Sequence, residues 1–430
     1  MMLTGRAALL ALAGAVVVLV FRTAAAVLIV DAVLFLAIVA DLTLAASLGK
    51  LQVSRSGDAK VHLGQSGAIA LSVTNGGSRR LRGVVRDGWR PTAGASPARS
   101  VVCVPAGRRV TLTTTLSPTR RGDVAGGAVT VRSLGPLGLA GRQRNLPAPW
   151  TVRVLPPFLS RKHLPGKLAR LRELDGQHKS LIRGQGSEFD SLRPYVLGDD
   201  VRSIDWRSTA RRGDVLVRTW RPERDRRIVI VLDTGRGSAG RVGGMTRLDA
   251  SMDAALLLTA LAVRAGDRVD LIAADRRVRA RVVGAGRNEV LASITNAMAL
   301  LEPDLIDTDI TLMAASVLSV ARQRCLVVLM TDLHPATIEQ GLLPHVQLLS
   351  SRHHVLIAAV ADPKVDEMVS ERGDTAAIYH AAAALRARAG RSQVSVLLRR
   401  HGVEVVDAPP DQLPPALADA YLNLKAAGRL

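Results

Sequence analysis

The chain has 430 residues, 48% hydrophobic and 3% aromatic, with a formal net charge of +21. Such length and apolar content suit a multidomain globular protein and exclude a disordered or fibrous chain, and two cysteines, Cys103 and Cys325, exclude a disulfide-stapled scaffold or a four-cysteine zinc site. The charge is the outlier, and it invites nucleic acid or an anionic membrane surface as partner.

The charge is unevenly placed. Residues 1–50 hold 3 Lys/Arg and 2 Asp/Glu, residues 51–160 hold 16 and 3, residues 161–227 hold 17 and 10, and residues 228–430 hold 22 of each. The excess therefore lies between two apolar N-terminal stretches and an electrically balanced C-terminal half.

Residues 1–50 carry an uncharged run over 7–21, then Arg22, then a second apolar run over 23–47 broken by Asp31 and Asp41. A secretory signal peptide cleaved near Ala24–Ala26 is one reading. The apolar stretch continues far past that point, which favours a helical hairpin crossing a bilayer twice. The first run spans about 22 Å at 1.5 Å per residue, short of a core of about 30 Å, so Arg6 and Arg22 must snorkel or the bilayer must thin. Asp31 is expected near one interface, within reach of Arg22. Asp41 has two readings: a polar contact to a partner helix deep in a span, at a cost of about 3 kcal/mol, or an interfacial carboxylate. The basic residues that follow the hairpin place both termini, and the soluble domains, in the cytoplasm.

Residues 51–157 alternate apolar and polar, as in Ile69, Leu71 and Val73 and in Val110, Leu112, Thr114 and Leu116. Turn clusters such as 75–78 and 105–107 separate the runs, which predicts a small β-sandwich. Arginines fill its outer positions and turns: Arg79, Arg80, Arg82, Arg86, Arg108, Arg109, Arg120 and Arg121. This surface suits anionic inner-leaflet lipid, at about 1 kcal/mol per basic residue. Specific nucleic-acid binding is not expected, since aromatics for base stacking are nearly absent.

Residues 158–227 contain the least ordinary stretch. Phe189, Tyr195, Trp206 and Trp220 are four of the eleven aromatics in the chain, and Asp199, Asp200 and Asp205 alternate with Arg193, Arg202, Arg207, Arg211 and Arg212. That density of both signs predicts a packed ion-pair network for structure or partner docking. Gly184-Gln185-Gly186 lacks the Gly-Lys-Ser/Thr ending of a phosphate loop. The segment from Gly184 through Arg211 resembles the signature of the DUF58 proteins, on Glu188, Phe189, Arg193, Tyr195, Gly198-Asp199-Asp200, Arg202, Ile204-Asp205-Trp206 and Ala210-Arg211. The resemblance implies an N-terminal membrane hairpin, a β domain, this box and a von Willebrand factor A-like domain, in that order. It also implies a partner, a MoxR-type AAA+ ATPase.

From residue 228 the pattern changes to buried strands alternating with helices. Strands are expected at 228–232, 268–274, 278–283, 325–330, 354–360 and 403–406, with helices at 248–265, 289–301 and 310–320, which indicates a doubly wound α/β sheet. Ligands of such sheets bind beyond the strand carboxyl ends. Two of those ends carry Asp233 and Asp332. The resemblance implies a divalent-ion site there, with Asp233, Thr308 and Asp332 as ligands and Mg²⁺ as the fitting ion. The family's two serine positions are Gly235 and Gly237, and Ser238 lies one residue too far along, so the site is degenerate. Alternatives are that both aspartates cap helices, or that Gly235-Arg236-Gly237 frees backbone N–H groups for an anion.

The fold expected is thus multidomain, α/β plus all-β: a transmembrane hairpin (1–50), a basic β-sandwich (51–157), the signature segment (158–227) and a doubly wound, A-like domain (228–430). The function expected is a membrane-anchored, non-enzymatic interaction or assembly factor acting with the ATPase. The alternatives are a metal-dependent hydrolase using Asp233, Asp332 and Asp199, and nucleic-acid binding by the basic segment.

Overall fold

The computed structural model describes residues 2–178, 188–221, 226–371 and 373–430. These divide into two compact units, Met1–Pro157 and Phe158–Leu430.

In the first unit, helix α1 (Gly5–Phe21) ends at Arg22, which takes the left-handed conformation (φ 48°). Helix α2 (Ala24–Leu44) begins at once, its first turn capped by Thr23, whose hydroxyl accepts from the Ala26 N–H. The two helices pack as a hairpin. Ala24–Leu44 is long and apolar enough to cross a membrane, with a mean hydropathy of 2.5; the 17-residue Gly5–Phe21 is the shorter of the pair. Asp31 is exposed on α2, and no ion pair joins it to Arg22 among the described residues, contrary to expectation. Asp41, in the last turn of α2, is fully buried: it accepts from the backbone N–H groups of Leu137, Leu139 and Ala140 at 2.6–2.8 Å. At the start of α1, at the same base of the hairpin, Thr4 donates to the Gly138 carbonyl and Met2–Leu3 pairs with Ala140 and Gly141. Both helix bases are thus tied to one turn of the β region.

That region holds a five-stranded sheet in the order Met2–Leu3, Ala140–Leu146, Val129–Leu134, Leu81–Arg86, Arg99–Val104, and a four-stranded sheet in the order Leu51–Gly57, Gly67–Asn75, Arg109–Leu116, Ala95–Ser96. Leu71 and Val73 of one sheet and Leu81, Val85, Val129 and Val131 of the other share one core, as period-two alternation requires when two sheets face each other. A three-stranded sheet (Lys60–His62, Thr151–Leu155, Gly122–Ala125) closes a second cluster. The outer arginines named above are exposed, Arg121 half so. Arg55 is the exception: its side chain is fully buried against Asp87.

The second unit is built on a six-stranded sheet. Its strands are β1 (Arg227–Asp233), β2 (Arg268–Ala274), β3 (Val278–Val282), β4 (Leu326–Met330), β5 (His354–Val360) and β6 (Glu404–Ala408). They lie in the order β3-β2-β1-β4-β5-β6, parallel except for β3. Successive residues of β1 serve opposite faces. Ile228, Ile230 and Leu232 join a core with helix α3 (Arg247–Arg264) and the C-terminal helix Leu413–Ala426. Val229 and Val231 join another with helices α4 (Ile310–Val320) and α5 (Leu343–Arg352). Helix α3 starts on a reciprocal capping box, Thr246 with Asp249, which satisfies two N–H groups at once. The segment Phe158–His178 belongs to this unit: Leu171 is in its core, and Ser160 binds the Asp253 carboxylate through both its N–H and its hydroxyl. A second buried tie is made by Asp267, which accepts from Tyr421 and Lys425.

Candidate functional site at the strand ends

Order reverses between β1 and β4, the point at which an open parallel sheet leaves a crevice beyond its carboxyl ends. Asp233 ends β1 and Asp332 follows β4 by two residues. Both oxygens of Asp233 are taken. Its Oδ1 accepts from the Gly235 N–H (2.8 Å) and from Thr308 Oγ1 (2.5 Å), and its Oδ2 accepts from Thr331 Oγ1 (2.7 Å). Asp233 is 4% exposed. Burial raises its pKa, the threonine and backbone hydrogen bonds oppose the rise, and the charge of Asp332 adds to it.

Asp332 is held from both sides by guanidinium groups: Arg391 donates to Oδ1 at 2.6 Å and Arg247 to Oδ2 at 2.9 Å. Arg391 goes on to Asp407 (2.7 Å) and the Val360 carbonyl. The structure therefore brings Asp233, Thr308 and Asp332 together, as expected. It also fills their coordination with protein groups. A divalent ion does not fit this donor set, because two positive charges already sit on Asp332 and three donors on Asp233. Among the described residues no group of three or more His, Cys, Asp or Glu could hold a metal. Gly235 shows why its hydroxyl ligand is missing: a Cβ there would lie 2.1 Å from Thr308 Oγ1, so a side chain at 235 and the Thr308–Asp233 bond exclude each other.

Two other expectations fail locally. The turn after Asp233 is no anion nest: the N–H groups of Gly235, Arg236 and Ser238 are spent on Asp233, Ile306 and Gly235. Neither aspartate caps a helix; Gly235 and His334 hold the cap positions that follow them. Ser238 donates to the Asp233 carbonyl, not to the carboxylate. Beside the clamp opens a cavity of about 1270 Å³, whose wall includes Arg247, Asp332, Arg386, Arg391, Arg399 and Asp407.

The signature segment forms a separate two-stranded hairpin, Glu188–Pro194 with Leu216–Arg221. Gly184–Gly186 lie outside the described residues, and Glu188 is described by its strand register alone, opposite Arg221. Arg193 and Asp199 make a two-bond ion pair (2.5 and 2.7 Å), which holds the Asp199 carboxyl below the usual range. Gly198 turns at φ 107°, where other residues are strained. Asp200 accepts from the Arg202 N–H and Asp205 from the Ser208 N–H, the latter starting helix Trp206–Arg212. Arg218 completes the Asp205 carboxylate at 2.8 Å. Among the described residues these two ion pairs are seen, and Arg202, Arg207, Arg211 and Arg212 are exposed. Tyr195 is half-buried, its N–H bonded to the Val215 carbonyl. Leu197 and Trp206 are 98% and 67% exposed.

Arg247 and Arg391 carry the site's electrostatics and have no local sequence signal, standing 85 and 59 residues from Asp332. Thr331 does carry a local signal, standing beside Asp332 at the end of an apolar strand run.

The family model described as "Protein of unknown function DUF58" matches residues 191–395. An uncharacterised protein of Mycobacterium bovis is 27% identical over 198 residues, 45% of this chain and 61% of the relative. Uncharacterised proteins from two strains of Mycobacterium tuberculosis match equally. The match thus spans about three-fifths of those relatives' length. Among solved structures, the CARDB domain of a Pyrococcus furiosus protein is 18% identical, covering 26% of this chain and 94% of that one with a TM-score of 0.20. Proximal thread matrix protein 1 of the mussel byssus is 11% identical, covering 47% and 46%, with a TM-score of 0.27.

Proposed function

We propose that this chain is a DUF58-type, membrane-anchored interaction factor without catalysis of its own. Its C-terminal domain is von Willebrand factor A-like and docks a partner at the strand-end face, the partner being a MoxR-type AAA+ ATPase. The observation that carries the reading is the Arg247–Asp332–Arg391 clamp. Where an A-type domain would hold its ion, two guanidinium groups supply fixed positive charge, and the oxygens of Asp233 and Asp332 are already engaged by protein donors. The strand order with one antiparallel edge supports the A-like assignment. The exposed Leu197 and Trp206 of the signature hairpin supply the apolar contact on which interfaces depend. The hairpin of α1 and α2 serves as the anchor. It crosses the bilayer twice, keeps both units cytoplasmic, and sets the arginine-rich β surface against anionic lipid.

The test is affinity capture of the tagged full chain from solubilised membranes, with proteins identified by mass spectrometry. A MoxR-type ATPase is expected in stoichiometric amount with the wild type and reduced at least tenfold with Asp332→Ala. Its absence from the wild-type eluate, or equal recovery on resin without the chain, sinks the proposal.

A further inference from the structure

The opposite end of the same sheet carries a site of different character. Between α4 and β4, and between α5 and β5, two loops at the amino ends of neighbouring parallel strands enclose a cavity of about 500 Å³, lined by Leu318, Ala321, Arg322, Gln323, Arg324, Arg352 and His353. No carboxylate lines it. Elsewhere in this charge-balanced domain arginines pair with aspartates: Arg227 with Asp270, Arg247 and Arg391 with Asp332, Arg279 with Asp275. Arg322, Arg324 and Arg352 are exposed and have no ion pair among the described residues. Asp270, on β2 of the same sheet, is already occupied by Arg227 at 2.5 Å.

His353 supplies the second observation. It is 3% exposed, and its Nε2 is buried with no hydrogen-bond partner among the described residues. Its Nδ1 faces Cys325 Sγ at 3.5 Å. Burial pushes the Cys325 thiol up to about 12, so it keeps its hydrogen. Burial, then the nearby Arg352 and Arg324, hold the His353 pKa below its usual value, so the ring is neutral. The carboxyl ends of α4 and α5 also point here and favour cations. They contribute about half a negative charge each, against three full positive charges.

We infer that this cavity binds a phosphoryl group. Three guanidinium forks, from Arg322, Arg324 and Arg352, match the acceptor oxygens of a phosphate ester. The lining has no aromatic side chain to stack a base and little apolar wall, so the recognised part is the phosphate and not a nucleoside. The ligand is either a soluble phosphate ester or a phospholipid headgroup. The site does not depend on the docking role of the strand-end face.

The test uses the full chain in phosphatidylcholine nanodiscs, titrated with pyrophosphate at low salt. Wild-type protein is expected to bind at one site. Arg322→Gln with Arg324→Gln is expected to weaken binding at least tenfold, and the charge-matched pair Arg276→Gln with Arg277→Gln, outside the cavity lining, to leave it unchanged. Both pairs change exposed side chains, so folding is retained, and circular dichroism checks it. The ring resonances of His353, in the cavity wall, are expected to shift on saturation. Adding phosphatidylglycerol vesicles separates the sources: competition with pyrophosphate assigns a headgroup, and its absence assigns a soluble ester. No pyrophosphate binding by the wild type, or equal weakening by the two variant pairs, overturns the site.

Discussion

At Asp233 burial and hydrogen bonding pull in opposite directions, and burial prevails: the folded pKa lies above the ordinary carboxyl value. A group raised on folding contributes stability that is complete below its unfolded pKa, about 3.9, and is lost as pH rises through the folded value. Ionised Asp233 is therefore a cost to the fold at neutral pH. Asp233→Asn keeps an oxygen for Gly235 and Thr308, and Thr331 can turn its hydroxyl to accept from the new amide. The melting temperature of Asp233→Asn is expected to fall less than that of the wild type between about pH 4 and about pH 8; parallel curves would contradict the assignment. In the β unit, Asp87 accepts from Arg55, Trp89 and Thr114, and the Arg55 guanidinium lies 4.9 Å from the Trp89 ring centre. Removing one member of a buried pair strands the other charge, at about 3–5 kcal/mol. Asp87→Ala is accordingly expected to lower the melting temperature of the β unit sharply, and a shift no larger than that of exposed Asp58→Ala would refute the burial argument.

Among elements, the docking of the helical hairpin depends most on one side chain. Asp41 satisfies three backbone N–H groups of the 137–140 turn, each of which would otherwise be left without its acceptor at about 1–3 kcal/mol. An aspartate in an apolar run is ambiguous when read locally, because depth in a bilayer and contact with a β turn ninety-six residues away leave the same trace. The fold chose the contact. Asp41→Ala is expected to expose the base of the hairpin to protease in nanodiscs, while Asp31→Asn leaves digestion unchanged; equal digestion of both variants would argue against the tie. The signature hairpin teaches a related lesson. Its charge density predicts a network, yet its aspartates act locally, on Arg193, Arg218 and the N–H groups that follow them. Short-range caps and turns use aspartate as readily as ion pairs do.

At the scale of the whole molecule, +20 of the formal charge lies within residues 51–227, and all but one of the named outer arginines of the β unit are exposed. Binding of the detergent-purified chain to phosphatidylglycerol vesicles is expected to fall steeply between low and physiological salt, as screening shortens to about 8 Å. Arg79→Gln, Arg80→Gln and Arg82→Gln together are expected to weaken it several-fold. Salt-independent binding would show that apolar insertion alone holds the chain to lipid.

The α/β unit was largely legible along the chain because its signals are local. β2, β5 and α4 occupy the residues their apolar patterns mark, and the remaining strands differ by a residue or two at their ends, since a strand buried on both faces reads as a continuous apolar run. The positions of Asp233 and Asp332 at strand ends followed from the same runs. What those carboxylates do did not follow. Arg247 and Arg391 reach Asp332 only because α3 and helix Thr375–Arg400 pack beside the end of β4, and Thr308 reaches Asp233 only because Gly235 leaves room for it. The sequence by itself thus determined which strands form and where the aspartates stand. Tertiary packing alone decided that arginine and threonine donors meet them, because the partners of a buried charge are set by proximity in space, which the order of residues along the chain does not record.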